Sequence, residues 1–173
     1  MVTLPNEIVD HIMGFMLFRP KTHNELRDAV NMWCDPFTKR KAKRIYGKIS
    51  DWDTTLIEDM SELFWNKTFN DDISEWNVSN VHTFRGMFRG CYKFNRNISK
   101  WNVEKGRDFS YMFYKCRYFS KNLNNWKMKS ATDLSYMFAY SMFGHVLDSW
   151  HNYVDSSIPM KNIYLEAGIN HCV

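Results

Sequence analysis

The chain has 173 residues, a formal net charge of +4 and a mean hydropathy of −0.50. That length allows one domain, or one domain with a small cap, and no apolar run approaches the roughly 20 residues that a membrane-spanning helix needs. Four cysteines, at 34, 91, 116 and 172, are too few for a disulfide framework in a chain this long, while aromatics at 17% are far above an ordinary domain.

The chain opens with Thr3-Leu4-Pro5, which puts proline at the first position of a helix. Ile8, Ile12, Phe15 and Met16 then share one helical stripe, with Val9 beside it. Such a helix either covers its neighbour in the fold or docks on another protein. Arg19-Pro20-Lys21 ends it. Thr22 and Glu25 have the spacing of a capping box and open a second helix, whose apolar face is Leu26, Ala29, Val30 and Trp33. Asp35-Pro36 opens a third, with Phe37, Ile45 and Tyr46 as anchors and Gly47 at its end. It carries five bases in six residues, Lys39 to Arg44. They read as a solvated helix face, or as a nucleic-acid patch.

From Ile49 the chain repeats itself. Trp52, Trp76, Trp101, Trp126 and Trp150 recur every 24 or 25 residues, each at the end of a phrase such as Ile73-Ser74-Glu75-Trp76. A second phrase follows the first four: Met60-x-x-Leu63-Phe64, Phe84-x-x-Met87-Phe88, Phe109-x-x-Met112-Phe113 and Leu134-x-x-Met137-Phe138. A third begins at Phe69, Phe94, Phe119 and Phe143. A repeat this short cannot bury a core alone, so the copies must stack. Phe94, Ile98 and Trp101 suggest an extended segment; Phe84, Met87 and Phe88 suggest one side of a helical turn. The expectation is an α+β repeat fold. It would be a short right-handed solenoid, with parallel strands on one side and short helices on the other. Trp52, Trp76, Trp101, Trp126 and Trp150, with Phe64, Phe88, Phe113 and Phe138, would form its internal ladders. Asn77, Ser79, Asn80, Asn102, Asp72, Asn97 and Asn122 suit the corners. Residues 1–46 would be a helical N-terminal cap, 47–155 the repeats, and 156–173 a C-terminal cap helix and tail. In that last helix Met160, Ile163, Tyr164 and Ala167 would share a face. Cys91 and Cys116, one repeat apart, should be neighbours, read as two reduced core thiols rather than a bridge.

These phrases resemble the BspA-type leucine-rich repeats, and more narrowly the DUF285 group of bacterial surface proteins and large DNA viruses. The resemblance implies a binding scaffold and leaves the ligand open. The start, Leu4-Pro5-x-Glu7-Ile8-x-x-x-Ile12, resembles the opening of an F-box, the helical motif that docks on the Skp1 adaptor of ubiquitin ligases. That resemblance implies docking through Leu4, Pro5, Ile8 and Ile12.

Charge is polarised along the repeats. Asp51 to Glu75 holds eight acids against Lys67; Arg85 to Arg117 holds nine bases against Glu104 and Asp108. That suits a protein partner of complementary charge or head-to-tail association. By repeat register, Trp65, Arg89, Tyr114 and Ala139 form one outer row and Tyr92 and Arg117 another. The partner surface is therefore expected at Arg85, Arg89, Tyr92, Lys93, Arg96, Tyr114, Arg117 and Tyr118. No residue set suggests a catalytic, metal or cofactor site, and His145, His151 and Asp148 lack a fourth ligand at metal spacing. The function expected is a non-enzymatic protein–protein interaction module, intracellular in host cytoplasm or virion, with no classical secretory signal. Its partner would be a Skp1-like adaptor together with a ubiquitin-ligase substrate. The alternative is a minor structural component that binds capsid subunits of a large DNA virus. Nucleic-acid binding through the basic patches ranks below both, and no small-molecule substrate or membrane span is expected.

Overall fold

The structure is a computed structural model, and it describes residues 17–154 and 157–167. These contain two α-helices, α1 (His23–Cys34) and α2 (Lys39–Tyr46), and two 3-10 turns, Ile49–Asp51 and Asp148–Asn152. No strand forms among the described residues; three isolated parallel bridges join Asp59 to Thr83, Thr83 to Asp108 and Asp108 to Asp133. The expected α+β solenoid of parallel strands and short helices is therefore wrong. The repeats are coil and turns, stacked into rungs.

Where strands were expected, the phrase closes on itself. The backbone N–H of Trp76, Trp101, Trp126 and Trp150 donates to the carbonyl three residues back, on Ile73, Ile98, Leu123 and Leu147. Just upstream, the side chains of Asp72, Asn97 and Asn122 each accept from the N–H two residues on, fixing a corner. A chain curled this way cannot offer its N–H groups to a sheet.

Where helices were expected, a ribbon of consecutive turns forms. Met60, Glu62, Phe64 and Asn66 donate to the carbonyls of Thr83, Arg85, Met87 and Arg89 on the next rung, at 2.8–3.0 Å. The N–H groups between them fold back within the rung, Leu63 to Met60, Trp65 to Glu62 and Lys67 to Phe64. The same pattern joins the second rung to the third, and the third to the fourth. Every fourth residue has positive φ: Glu62 and Asn66, Gly86 and Gly90, Tyr111 and Lys115, Tyr136 and Tyr140. An α-helix tolerates neither the positive φ nor the diverted donors.

The ribbon continues past the fourth rung. Leu134, Tyr136, Phe138 and Tyr140 donate to Pro159, Lys161, Ile163 and Leu165, and Asn162 and Glu166 again have positive φ. Residues 157–167 are thus part of a fifth rung, and the expected C-terminal helix is absent from them. Met160, Ile163 and Tyr164 stand where Met60, Leu63 and Phe64 stand in the first rung.

The core is a set of aromatic columns. Phe64, Phe88, Phe113 and Phe138 stack at 5.4–5.6 Å, and Tyr164 adds a further step at 5.8 Å. Phe69, Phe94, Phe119 and Phe143 form a second column at 5.9–6.2 Å. The five tryptophans are buried beside these columns, Trp52 stacking on Trp76 at 6.1 Å and Trp101 on Trp126 at 6.5 Å. The indole N–H of Trp76, Trp101, Trp126 and Trp150 crosses one rung to the carbonyl of Ile49, Ile73, Ile98 and Leu123, at 2.7–3.2 Å. Trp52 has no earlier rung beneath it, and its indole N–H finds no acceptor among the described residues.

The helices close the first rung. Leu26, Ala29, Val30 and Trp33 of α1 are buried, and Trp33 meets Trp52 edge-on at 5.8 Å. Trp33 Nε1 and Lys39 Nζ both donate to Asp71 Oδ2, at 2.6 and 2.8 Å. The anchors expected for α2 are only partly right. Phe37 is 96% exposed and Ile45 45%, whereas Ala42 is buried and Tyr46 packs on Phe18 and Trp52. Lys39 and Lys43 lie over the Trp33 ring, so the face of α2 carrying 39, 42, 43 and 46 turns inward. Residues 41, 44 and 45 then fall on the opposite side, while Phe37 lies in the turn that precedes the helix.

Candidate functional site

The turn ribbon has an inner and an outer side. Residues equivalent to Met60, Leu63 and Phe64 point into the core; those equivalent to Glu62, Trp65 and Asn66 carry the outer surface. Reading these rows along the stack gives Glu62-Gly86-Tyr111-Tyr136, then Trp65-Arg89-Tyr114-Ala139, then Asn66-Gly90-Lys115-Tyr140, all exposed or half-buried except Gly86 and Ala139. Five rings and two cations of these rows meet one another. The Arg89 guanidinium lies 5.9 Å from the centre of Trp65, 5.4 Å from Tyr111 and 5.5 Å from Tyr114. Tyr111 stacks on Tyr136 at 5.0 Å, and Tyr114 meets Tyr140 edge-on at 5.4 Å. Lys115 Nζ sits over Tyr114 and Tyr140, at 5.4 and 6.0 Å. Rings that hold a cation this way restrict its rotamers and leave its N–H groups free to bond in the plane of the fork.

Gly86 is part of this construction. A Cβ built there would lie 3.6 Å from Arg89 Cβ, so the arginine stem packs against bare backbone. Gly86 also has φ +57, a conformation that glycine adopts without steric cost. Partial burial, followed by the charge of Glu166 and the phenols of Tyr114 and Tyr136, pushes the Tyr140 phenol above its usual range. Tyr136 accepts a hydrogen bond on its hydroxyl from Asn162 Nδ2 at 3.1 Å.

Beside Trp65 the face runs into a cleft of about 390 Å³ between α1 and the first rung. His23, Arg27 and Asn31 line one wall; Ser61, Glu62, Trp65 and Lys67 line the other. A larger cleft, about 510 Å³ and mostly apolar, lies at the far end of the stack, where Phe143, Leu147, Trp150, Met160 and Tyr164 meet no further described rung.

The structure distributes the expected partner residues over two regions. Arg89 and Tyr114 come together on the outer face. Tyr92, Lys93, Arg117 and Tyr118 are exposed at the next corner, where Lys93 Nζ lies over Tyr92 and Tyr118 N–H donates to the Tyr92 carbonyl. Arg96 is exposed but bonds the Asn70 carbonyl through Nε at 2.6 Å, and Arg85 is exposed. Ala139, expected on the outer row, is buried. Tyr111, Lys115, Tyr136 and Tyr140 were not expected, because a helical register places their rows differently from a turn ribbon. Leu4, Pro5, Ile8 and Ile12 lie outside the described residues.

Cys91 and Cys116 are free buried thiols, and Cys116 Sγ donates to the Cys91 carbonyl at 3.0 Å. Burial pushes the Cys91 thiol up to about 12 and raises that of Cys116 as well, which suppresses the reactive thiolate. His145 points its Nε2 at the Ser120 carbonyl at 2.7 Å. Among the described residues no helix is long and apolar enough to cross a membrane.

No curated protein and no solved structure matches the chain. A family model described as "Mycoplasma protein of unknown function, DUF285" matches residues 35–150. That span begins before α2 and ends at the last tryptophan, taking in every complete rung. It is more than half of the chain, which therefore belongs to the DUF285 family.

Proposed function

We propose that this protein is a non-enzymatic protein–protein interaction module working inside the cell. One observation carries the reading: Trp65, Arg89, Tyr111, Tyr114, Tyr136 and Tyr140 stand together on the outer face of a rigid stack. Aromatic and arginine side chains dominate the centres of protein interfaces, the aromatics because they offer large contact area with few rotamers to freeze and arginine because its planar fork stacks on rings and forms several hydrogen bonds. The partner meets these side chains on a surface whose backbone is bonded rung to rung, so little ordering is required on binding.

A photo-crosslinking residue installed at Tyr114 tests this directly. A defined partner should be captured there and not from Asn125 on the far corner, and capture should drop when Arg89 and Tyr136 are both replaced by alanine. Equal capture from both positions, or none that responds to the double variant, contradicts the reading. The N-terminal segment supplies the second contact: Leu4, Pro5, Ile8 and Ile12 dock on a Skp1-like adaptor. Ile8→Asp with Ile12→Asp should abolish adaptor binding, and absence of any adaptor binding by the unmodified protein at micromolar concentration removes this part.

A further inference from the structure

The geometry points to Arg89 as a receptor for a single carboxylate on an extended, acidic segment of the partner, with the tyrosines of the next two rungs taking an apolar side chain of the same segment. This rests on the interaction-module reading above and gives it a ligand chemistry.

Three features define that chemistry. First, the Arg89 guanidinium is walled by Trp65, Tyr111 and Tyr114, yet it makes no ion pair with any described residue. A planar fork held by rings and left without a counter-ion matches the two oxygens of a carboxylate. Second, its neighbours along the stack set what else can bind. The first rung, one step away, carries Asp51, Asp53, Glu58, Asp59, Glu62, Asp71 and Asp72, of which Asp53 and Asp71 are paired with Arg19 and Lys39. A polyanion such as a nucleic-acid strand lying along the stack runs into that acidic rung, whereas one localised carboxylate over Arg89 does not. Third, the other direction is aromatic, with Tyr111 on Tyr136 at 5.0 Å and Tyr114 against Tyr140 at 5.4 Å. Two rung steps of this size span about 10 Å, which an extended peptide covers in about three residues at roughly 3.3 Å each. The partner segment thus carries Asp or Glu at one position and a large apolar or aromatic residue about three positions away.

Selection from a phage library of random dodecapeptides, on the immobilised full chain, tests this. Enriched peptides should carry an acidic residue with an apolar one about three positions distant. Their binding should fall about tenfold or more for Arg89→Met, which keeps the stem and loses the charged fork, and less than about twofold for Arg85→Met on the same rung. Thermal melting of both variants beside the parent confirms that the stack persists, and Arg89→Lys, which keeps charge without the fork, should recover only part of the binding. Peptides lacking an acidic residue, or equal losses for the two methionine variants, overturn the carboxylate receptor while leaving an interaction surface in place. Displacement of the peptides by a 20-nucleotide single strand at physiological salt also overturns it, in favour of phosphate. No enrichment, together with no partner-specific capture at Tyr114, overturns both readings.

Discussion

Single residues join the rungs by bonds that an ordinary repeat reading does not anticipate. The carbonyl of Ile73 accepts from Trp76 of its own rung and from the Trp101 indole of the next. Trp52 makes no such bond to a described residue, although it is equally buried. Replacing tryptophan by phenylalanine removes similar ring area at both positions, but only at 101 does it remove a hydrogen bond. Trp101→Phe should therefore cost about 0.5–1.5 kcal/mol more than Trp52→Phe, read as a difference in urea midpoints. Gly106 is a second sensitive position. A Cβ there would lie 2.4 Å from Phe109 Cζ and 3.0 Å from Phe84 Cε2, both buried core rings. Gly106→Ala should destabilise by about 1–3 kcal/mol through overpacking. Asp71 ties the helices to the first rung. Its burial favours the neutral acid, but hydrogen bonds from Lys39 and Trp33, with the charges of Lys39 and Lys43, outweigh this and hold its carboxyl below the usual range. A depressed folded value means the contribution is complete above the unfolded value near 3.9 and disappears as pH falls through the folded one. Stability should thus decline below about pH 4, and less steeply in Asp71→Asn. The carboxylate is two-fifths exposed, so the contribution is screened and of the order of 1 kcal/mol.

At the scale of elements, the turn ribbon is where pattern and structure part. Apolar residues at i, i+3 and i+4, as in Phe84, Met87 and Phe88, fit a helical turn. They also fit a ribbon whose positive-φ residues swing the positions between them outward. Spacing within one repeat cannot separate the two, because the deciding acceptors lie 23 to 25 residues away, on the next rung. One signal was available: Gly86 and Gly90 occupy the positions that Tyr111 and Lys115 occupy one rung later, and glycine recurring four apart suits positive φ. The same blindness hid the fifth rung. Met160 follows Trp150 by ten residues where the other four rungs have eight, so Met160-x-x-Ile163-Tyr164 reads as a separate amphipathic helix. The ribbon makes opposite predictions for two neighbouring positions of one row. Gly86→Ala should lose about 1 kcal/mol, while Glu62→Gly, which relieves positive φ on an exposed residue, should be neutral or gain up to about 1 kcal/mol. Chemical denaturation of both variants beside the parent decides it; a stabilising Gly86→Ala contradicts the ribbon.

The whole molecule was legible as a stack in its period and its aromatics, and illegible in its backbone. The tryptophan spacing and the recurring phenylalanines locate the buried columns residue by residue, since each copy stacks on its equivalent one period away. What the period could not say is how each rung meets its neighbour. That was decided by tight turns at every tryptophan phrase and by corner side chains such as Asp72 and Asn97 that occupy the local N–H groups. The functional face shows the same division. Arg89 and Tyr114 could be placed outside the core by register, whereas Tyr111, Tyr136 and Tyr140 reach the same face only because the ribbon turns them outward. Nuclear magnetic resonance of the labelled full chain tests this architecture most directly. Ring contacts should link Phe64 to Phe88, Phe88 to Phe113 and Phe113 to Phe138, and backbone couplings should give positive φ at Gly86, Tyr111 and Tyr136. Sequential helical contacts across Phe84 to Phe88 with negative φ at these three residues, or rings too far apart to exchange magnetisation, would contradict it.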